Sequence, residues 1–283
     1  MISPNSRQSN AVSTTFLRSA SSSWTLGWAD LSRHRELLYF LTWRDIKVRY
    51  KQTVLGIAWA ILQPLAVALA LAAFLGRVVH VTSGDLPYPV FAYTGMVLWQ
   101  LFAQGLTESS NSIVNNERLV SKVYFPRLLL PLSAVLASLL DFAISLLVMV
   151  LFLVYYRISP TASVALLPLF VLPVLLASLG SGILLAALNV KFRDVRYTVN
   201  FLVQLWFFAT PVAYPTSVVP MRWRRLYELN PIVGALDGFR WALSGQGTFP
   251  VRSFILAIFT GTVLLIVGLY YFRRTEDTFA DNI

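Results

Sequence analysis

The stretch "LLLPLSAVLASLLDFAISLLVMVLFLVYY", residues 128–156, contains a single ionisable side chain, Asp141. About 20 predominantly apolar residues in a helix are enough to cross the hydrocarbon core of a bilayer. The alternative, a buried core helix of a large soluble protein, would need many more polar residues to cover it. The stretch therefore predicts a membrane-spanning helix. Because a charge at the bilayer centre costs about 2.5–3.5 kcal/mol, Asp141 should face protein or water, either as a functional group or as a helix–helix contact to a Ser or basic side chain.

The rest of the chain repeats this pattern. Of the 283 residues, 57% are hydrophobic and 13% are charged, and the mean hydropathy is +0.65, a balance outside the range of ordinary soluble domains. Five further stretches approach the length of a span and contain no Asp, Glu, Lys or Arg. The sequence therefore predicts an all-α membrane protein whose six transmembrane helices cover residues 54–75, 90–106, 128–156, 163–190, 197–213 and 253–272.

The domain boundaries follow from composition. Residues 1–30 are rich in Ser and Thr and lack an apolar core with a cleavage site, which predicts a disordered tail instead of a secretion signal. We expect an amphipathic interface helix over 31–52, a six-span transmembrane domain over 53–274 and a short tail over 275–283. The absence of cysteine excludes disulfides and thiolate metal sites.

The distribution of positive charge predicts the orientation. A net charge of +10 could point to nucleic acid, but basic residues in a membrane protein mostly report its orientation. With the N-terminus inside, sixteen of the 23 basic residues fall on the cytoplasmic side, and most of the others lie in or beside one long outer loop. We therefore predict a multi-pass protein of the inner (plasma) membrane with both termini cytoplasmic and no nucleic-acid partner.

A basic amphipathic segment, "LLYFLTWRDIKVRYKQT" (37–53), precedes the first span. On a helix its apolar residues form two stripes separated by charged flanks. Such a helix suits the membrane surface, with one stripe in the acyl boundary and the other against protein. The alternative is that its basic residues serve only as an orientation signal. The first stripe consists of Tyr39, Trp43, Ile46 and Tyr50, and the second of Leu37, Leu41 and Val48.

A short charged segment, "NNERLVSKVYFPR" (115–127), separates the second and third spans. Asn115 or Asn116 can cap a helix that Pro126 stops after about nine residues, too short to be stable alone in water. Its apolar face should rest on the bundle and its charged face should meet another protein, unless it is an ordinary loop helix on the head groups. The apolar arc holds Leu119, Val120, Val123 and Tyr124, and the charged arc holds Glu117, Arg118, Ser121 and Lys122.

Prolines and glycines mark the second half of the chain. Pro168, Pro173 and the triplet at 180–182 predict a bent or broken fourth span. After the fifth span, "ATPVAYP" ends the helix. The following segment predicts two short helices divided at Asn230-Pro231, the second ending near Leu243 before Gly245, at the outer surface and dipping partway into the membrane.

The sequence lacks the residue patterns of the common membrane enzymes. The only adjacent acidic pair is Glu276-Asp277, and the two histidines, His34 and His80, fall on opposite sides of the predicted membrane. No lysine follows a glycine, so a Walker phosphate loop is excluded. We therefore predict a protein with no catalytic residue, no metal and no cofactor in this chain.

Five motifs resemble the permease subunit of polysaccharide ATP-binding-cassette exporters, the family of O-antigen, capsule and teichoic-acid permeases. The resemblance covers roughly residues 30–275, while residues 1–30 depart from a typical start. The motifs are "WRDIKVRYKQTVLGIAWAILQP" (43–64), "NNERLVSKVYFPRLLLPL" (115–132), "NVKFRDVRY" (189–197), "FFATPVAYP" (207–215) and "LNPIVGALDGFRWALSG" (229–245).

The resemblance implies a homodimer that binds two cytoplasmic ATPase subunits, which hold the ATP and Mg, and that exports a lipid-linked polysaccharide such as O-antigen for lipopolysaccharide biosynthesis. It also implies re-entrant helices after span five, and a coupling helix at residues 117–125 that enters a groove on the ATPase. The expected coupling residues are Glu117, Arg118, Leu119, Val120, Lys122, Val123, Tyr124, Phe125, Pro126 and Arg127.

Sugars bind through hydrogen bonds and through C–H faces laid on aromatic rings, so we expect some rings to line a path. Others should belong to the interfacial aromatic belt. Basic residues before span one should attract the anionic head group of the lipid carrier. The candidate path residues are Trp59, Tyr93, Trp99, Phe102, Trp206, Phe207, Phe208 and Tyr214. The candidate head-group residues are Arg33, Arg35, Arg44, Lys47, Arg49 and Lys51.

Two other functions fit the sequence less well. A related exporter of a small lipid or drug would need a narrower path and fewer rings. A membrane-embedded glycan transferase would need a divalent metal, for which the sequence offers no carboxylate cluster.

Overall fold

Helices form all the regular secondary structure in the part of the chain that the computed structural model describes, residues 33–51, 58–79, 86–159, 161–245 and 247–279. The N-terminal tail predicted for residues 1–30 lies outside these ranges. The α-helices are α1 (Arg35–Lys51), α2 (Ala58–Leu71), α3 (Tyr88–Asn115), α4 (Glu117–Lys122), α5 (Leu129–Tyr155), α6 (Leu167–Lys191), α7 (Val195–Phe208), α8 (Met221–Tyr227), α9 (Pro231–Ser244) and α10 (Val251–Thr275).

Four helical stretches among the described residues are long and apolar enough to cross a membrane: Ala58–Val78, Leu129–Tyr155, Ala162–Lys191 and Val251–Thr278. They correspond to the first, third, fourth and sixth predicted spans. The first continues from α2 as a π-helical stretch, Ala72–Val78, and the fourth begins with a 3-10 turn, Ala162–Leu166. The protein is therefore an all-helical, membrane-embedded chain.

The second and fifth predicted spans differ from the observed helices. α3 extends to Asn115 instead of ending at 106, because no proline or glycine interrupts residues 106–115. α7 ends at Phe208 instead of 213, since Pro211 follows closely, and residues 209–213 continue as turns. At about 1.5 Å per residue, its 14 residues are about 21 Å long, short of the roughly 30 Å hydrocarbon core.

α3 occupies the centre of the bundle, where it packs against α5 and α6 and also contacts α2, α7 and α9. Most of its length is buried, which explains why it can carry polar residues such as Thr94 and Ser109. A side chain at Gly182 of α6 would meet Ser109, so the missing Cβ permits the close approach of α6 to α3.

The Gly-Ser-Gly triplet at 180–182 does not break α6, so of the predicted bend or break, the break is wrong. α6 is helical throughout Leu167–Lys191. Gly180 instead faces α10, where a Cβ would collide with the backbone of Leu265, and a Cβ on Gly268 would collide with the carbonyl of Gly180. The small residues therefore bring helix backbones together instead of interrupting the hydrogen-bond ladder.

One buried cluster joins six helices at the end of the bundle that carries α4, and we call it the α4-end cluster. It ties α1, α3, α4, α5, α6 and α10 to the turn that follows α10, Glu276–Thr278, and to Phe279. The sequence predicted a tail from 275, yet this turn is seated on the bundle as far as Phe279. The buried members are Leu41, Ile113, Val120, Phe125, Leu129, Leu130, Ile183, Ala186, Ala187, Val190, Phe272 and Phe279.

The two short helices predicted after span five are confirmed as helices. Asn230 separates α8 from α9 and caps α9, with its side-chain oxygen accepting a hydrogen bond from the backbone N–H of Ile232 at 3.1 Å. Gly245 ends α9 in a left-handed conformation, φ 64°. α9 is largely buried against α6, α10 and α3, whereas α8 has no buried residue.

Candidate functional site

The segment between α3 and α5, residues 115–127, is here called the α4 segment. Its helix has six residues, Glu117–Lys122, and Val123 is extended (φ −126°, ψ 132°), so the predicted nine-residue helix to Phe125 is too long. Asn116 occupies the position before the helix, but its side chain donates to the carbonyl of Ser112 instead of capping α4. The chain leaves the helix before Pro126 because Phe125 turns back into the α4-end cluster.

The predicted continuous apolar arc is split by this geometry. Val120 and Phe125 are buried, at 4% and 8% exposure, whereas Val123 and Tyr124 are 51% and 86% exposed. Leu119 is half-buried. The α4 segment is thus held by two anchors while a two-residue apolar tip points away from the bundle.

Charged side chains precede the exposed tip in the α4 segment. Glu117, Arg118 and Lys122 are exposed and form no ion pair with any residue that the structure describes. A protruding aromatic side chain beside charged residues fits the aromatic core and polar rim of a protein-binding site. The predicted separation of charged and buried faces is therefore confirmed for these three residues and for Val120.

α1 is held to α5 by polar contacts as well as by Leu41. The hydroxyl of Ser133 donates to Asp45 at 2.9 Å, and the guanidinium of Arg49 forms an ion pair with Asp141. Arg49 also approaches Glu108 of α3 at 4.0 Å. Of the two roles left open for Asp141, the structure supports the helix–helix contact, and the partner is a basic group.

The remaining cations of α1 lie on its outer side. Lys47 lies over the ring of Trp43 at 5.3 Å, and Arg44 pairs with its neighbour Asp45 at 2.8 Å. Arg33, Arg35 and Lys51 are exposed. The candidate head-group surface therefore keeps five of its six residues, because Arg49 turns inward.

The outer side of α1 is also aromatic. Tyr39, Phe40 and Trp43 are exposed, and Val48 is 71% exposed. Val48 follows Leu41 by seven residues and so shares its side of the helix, as predicted, but the bundle buries Leu41 and leaves Val48 exposed.

Three of the rings predicted to line a path lie in the core instead. Tyr93 is fully buried, stacks on Phe152 at 4.9 Å and donates its hydroxyl to the carbonyl of Ser145. Trp99 and Phe102 are buried too, and they pack edge to face against Phe207 and Trp206 at 5.4 and 4.8 Å. These α3 rings hold α7 to the bundle.

The other rings of the predicted set have varied exposure. Trp59 is 55% exposed and Phe208 is 73% exposed, so both present ring faces. Trp206 and Phe207 are half-buried by the α3 rings. Tyr214 donates its hydroxyl to the carbonyl of Phe208 at 2.7 Å, which fixes the turn after α7.

α7 carries an uncovered surface that the sequence analysis missed. Val199 is its only buried residue. At 100° per residue, five exposed residues fall on one side, and we call them the α7 stripe; they are Tyr197, Asn200, Phe201, Gln204 and Phe208. The two amides, within the mostly apolar stretch 199–208, were the available signal, because lipid leaves such groups without hydrogen bonds.

A buried arginine closes the opposite end of the bundle, and sequence analysis missed it as well. Arg240 of α9 donates to the carbonyls of Pro211 and Val212 at 2.7 and 2.9 Å, and it lies over the ring of Phe91 at 3.4 Å. Burial lowers its pKa to about 10, which leaves it charged at neutral pH. Gly95 is required beneath it, since a Cβ there would lie 2.9 Å from the guanidinium.

The similarity to known proteins extends over these surfaces. Residues 36–244 match the family of ABC-2 type transporters. The chain belongs to this family. The matched residues run from α1 to the end of α9, so they include the α4 segment, the α7 stripe and Arg240. An ABC-2 type transporter permease lacks an ATPase site of its own.

Individual relatives of this ABC-2 type transporter cover most of its length. It is 32% identical to the O-antigen export system permease protein RfbA of Klebsiella pneumoniae over 87% of the chain and 94% of that protein. The RfbA of Myxococcus xanthus is 32% identical over 90% of the chain and 98% of that protein. The polysialic acid transport protein KpsM of Escherichia coli is 27% identical over 83% and 91%.

The described residues contain no group of three or more His, Asp or Glu side chains that could hold a metal ion.

Proposed function

We propose that this chain is the transmembrane permease subunit of an ABC exporter that moves a lipid-linked polysaccharide, of the O-antigen, capsule or teichoic-acid type, out of the cytoplasm across the inner membrane. The observation that carries the proposal is similarity along nearly the whole length of two O-antigen export permeases, 94% and 98% of their chains. The relatives extend to a polysialic acid transporter, which favours a polymer of sugars as the common cargo.

A separate ATPase subunit drives export and docks on the α4 segment. The unpaired Glu117, Arg118 and Lys122 and the exposed tip of Val123 and Tyr124 support this docking, because an anchored protrusion fits a groove on a partner. ATP and Mg bind in that partner, and this chain supplies only the mechanical connection to the bundle. Three of the predicted coupling residues, Val120, Phe125 and Arg127, instead face this chain's own residues.

The permease works as a homodimer of six-span subunits, with both termini cytoplasmic. α3 and α7 complete the span count, and α8 with α9 forms the re-entrant pair at the outer side. The exposed sides of α2 and α7 support dimerisation, since a two-fold axis beside them would enclose a path that one bundle lacks.

The α7 stripe lines the path of the glycan, together with the exposed face of Trp59. Its rings offer faces for sugar C–H groups, while Asn200 and Gln204 offer hydrogen bonds to hydroxyls. Because rings and amides alternate along about 16 Å of helix, a polymer can move from one contact to the next without a single deep trap.

The anionic head group of the lipid carrier docks on the outer basic residues of α1. Each basic residue near an anionic membrane surface contributes about 1 kcal/mol. Arg33, Arg35, Lys47 and Lys51 are exposed, and Arg44 is partly so, whereas Arg49 is excluded from this role by its ion pair. Positive charge beside the exposed ring of Trp43 suits a lipid at the interface.

The test is purification with the ATPase subunit followed by ATP hydrolysis in lipid vesicles. We expect copurification, and we expect hydrolysis to rise when lipid-linked glycan is added. The permease reconstituted alone serves as the control and should neither hydrolyse ATP nor export glycan. Stimulation by a small lipid or drug but not by glycan would instead identify the alternative exporter, and uphill export by the permease alone would overturn the proposal.

A further inference from the structure

The C-terminal turn after α10 is packed into the bundle next to the α4 segment. Phe279 is 1% exposed, and its ring meets that of Phe272 edge to face at 5.1 Å. Glu276 also forms an ion pair with Arg273 at 3.2 Å, which closes the turn on its own helix. Because buried side chains are close-packed, an aromatic ring this deeply buried holds its neighbours in place.

Arg127, at the end of the α4 segment, reaches this turn. Its guanidinium donates a hydrogen bond to the backbone carbonyl of Glu276 and lies over the ring of Phe279 at 6.0 Å. The two contacts use a carbonyl acceptor and a ring face that both belong to residues 276–279. Arg127 is therefore engaged by its own chain and is not available to hold a partner.

The exposed tip of the α4 segment depends on this support. A helix of six residues is not stable alone. Its direction is set on one side by Val120 and on the other by Phe125 and Arg127, and both Val120 and Phe125 lie in the same cluster as Phe279. Without the C-terminal turn, Arg127 loses its hydrogen-bond acceptor and the cluster that holds Phe125 loses Phe279.

We propose that Phe279 is a positioning residue for ATPase docking: through Arg127 and Phe125, it fixes the direction in which Val123 and Tyr124 project. The inference rests on the proposed function, because it takes the α4 segment to be the docking site. It assigns a role in docking to the turn after α10, whose Glu276 is 149 residues from Arg127 in sequence and which lies beyond the residues that match the family.

The test compares Phe279→Ala, Phe279→Leu and Arg127→Met in the full chain coexpressed with the ATPase. Phe259→Ala is the matched control, because it truncates an exposed phenylalanine of α10, the helix that precedes the turn. We expect Phe279→Ala to lower ATPase capture about tenfold, and Phe279→Leu to restore at least half of it. We expect the Phe279→Ala, Arg127→Met double variant to be no worse than either single variant, since the two side chains act as one unit.

These readouts separate positioning from general damage. Gel-filtration profile and helical content in detergent should stay at wild-type values in all variants. Wild-type capture by Phe279→Ala, additive losses in the double variant, or an equal loss in Phe259→Ala would each overturn the inference. If replacing Glu117, Arg118 and Lys122 with alanine also leaves capture unchanged, the docking assignment itself fails. If that triple variant loses capture while Phe279→Ala keeps it, only the present inference fails.

Discussion

Arg49 of α1 forms an ion pair with Asp141 near the middle of α5. Four residues earlier on α1, Asp45 accepts a hydrogen bond from Ser133, close to the start of α5. The contacts thus advance along α5 in the same order as along α1. The amphipathic helix therefore runs beside α5 towards its middle, and it brings a positive charge to the one acidic residue of that span.

Replacing either member of the Arg49–Asp141 ion pair should lower the free energy of unfolding, but by unequal amounts. Arg49→Met leaves the carboxylate of Asp141 buried without a partner and should cost about 3 kcal/mol. Asp141→Leu should cost less, about 1 kcal/mol, because Arg49 is partly exposed and can turn towards Glu108 or water. The double variant should recover most of the loss. Thermal unfolding in detergent measures all three, and additive losses would show that the pair is not coupled.

Reversing charge on the outer side of α1 should stop export without disturbing assembly. Arg44→Glu with Lys47→Glu places two negative groups where the proposal puts an anionic head group, so we expect export to be abolished while dimer and ATPase still copurify. Arg225→Glu with Arg222→Glu on α8 is the matched charge reversal at another exposed site. Normal export by the α1 variant would remove the head-group surface from the proposal.

The tip of the α4 segment should dominate binding of the ATPase. Tyr124→Ala removes the most exposed aromatic side chain there and should weaken capture about 30-fold, in the range of an aromatic hot spot. The triple change of Glu117, Arg118 and Lys122 to alanine should also release the ATPase while membrane expression is kept. Tyr155→Ala, an equally exposed tyrosine at the other end of α5, is the control in the pull-down.

Removing the amides of the α7 stripe should impair export while making the helix more compatible with lipid. Asn200→Leu with Gln204→Leu deletes two side chains proposed to hydrogen-bond sugar hydroxyls, each worth roughly 1 kcal/mol, so glycan export should fall about tenfold or more. Thr198→Val makes a similar change on α7 outside the stripe and should be neutral. An export rate that survives the double change would place the glycan elsewhere.

Arg240 should contribute to stability through the carbonyls it satisfies. Arg240→Met strands the carbonyls of Pro211 and Val212 in a buried site, and it should lower the free energy of unfolding by about 3 kcal/mol. Arg225→Met, at an exposed position of α8, should change it by less than about 0.5 kcal/mol. A melting midpoint unchanged in the Arg240 variant would contradict this.

The sequence analysis succeeded where one helix could be considered alone. Of the six spans predicted from long apolar stretches, four match helices long enough to cross a membrane; Asn230-Pro231 predicted the boundary between α8 and α9, and Gly245 predicted the end of α9. These signals are local, because they depend on apolar length, a missing N–H or a left-handed residue.

The failures concern contacts between distant segments. Tyr93 and Trp99 look like free rings until α5 and α7 are placed beside them. Arg49 looks like a surface charge until Asp141 is known to face it. No periodicity could predict that Phe279 would pack beside the α4 segment, since the two are separated by most of the chain.

The buried residues of the α4 segment flank its projecting residues, with Val120 and Phe125 turned in on either side of Val123 and Tyr124, which are turned out. The side chains that hold the segment on the bundle are thus different from those exposed to another molecule. The exposed residues can therefore change during evolution, and with them the ATPase proposed to bind there, without disturbing the packing of the buried ones. Chimaeras that exchange only residues 117, 118, 122, 123 and 124 between two such transporters should therefore exchange their ATPase subunits.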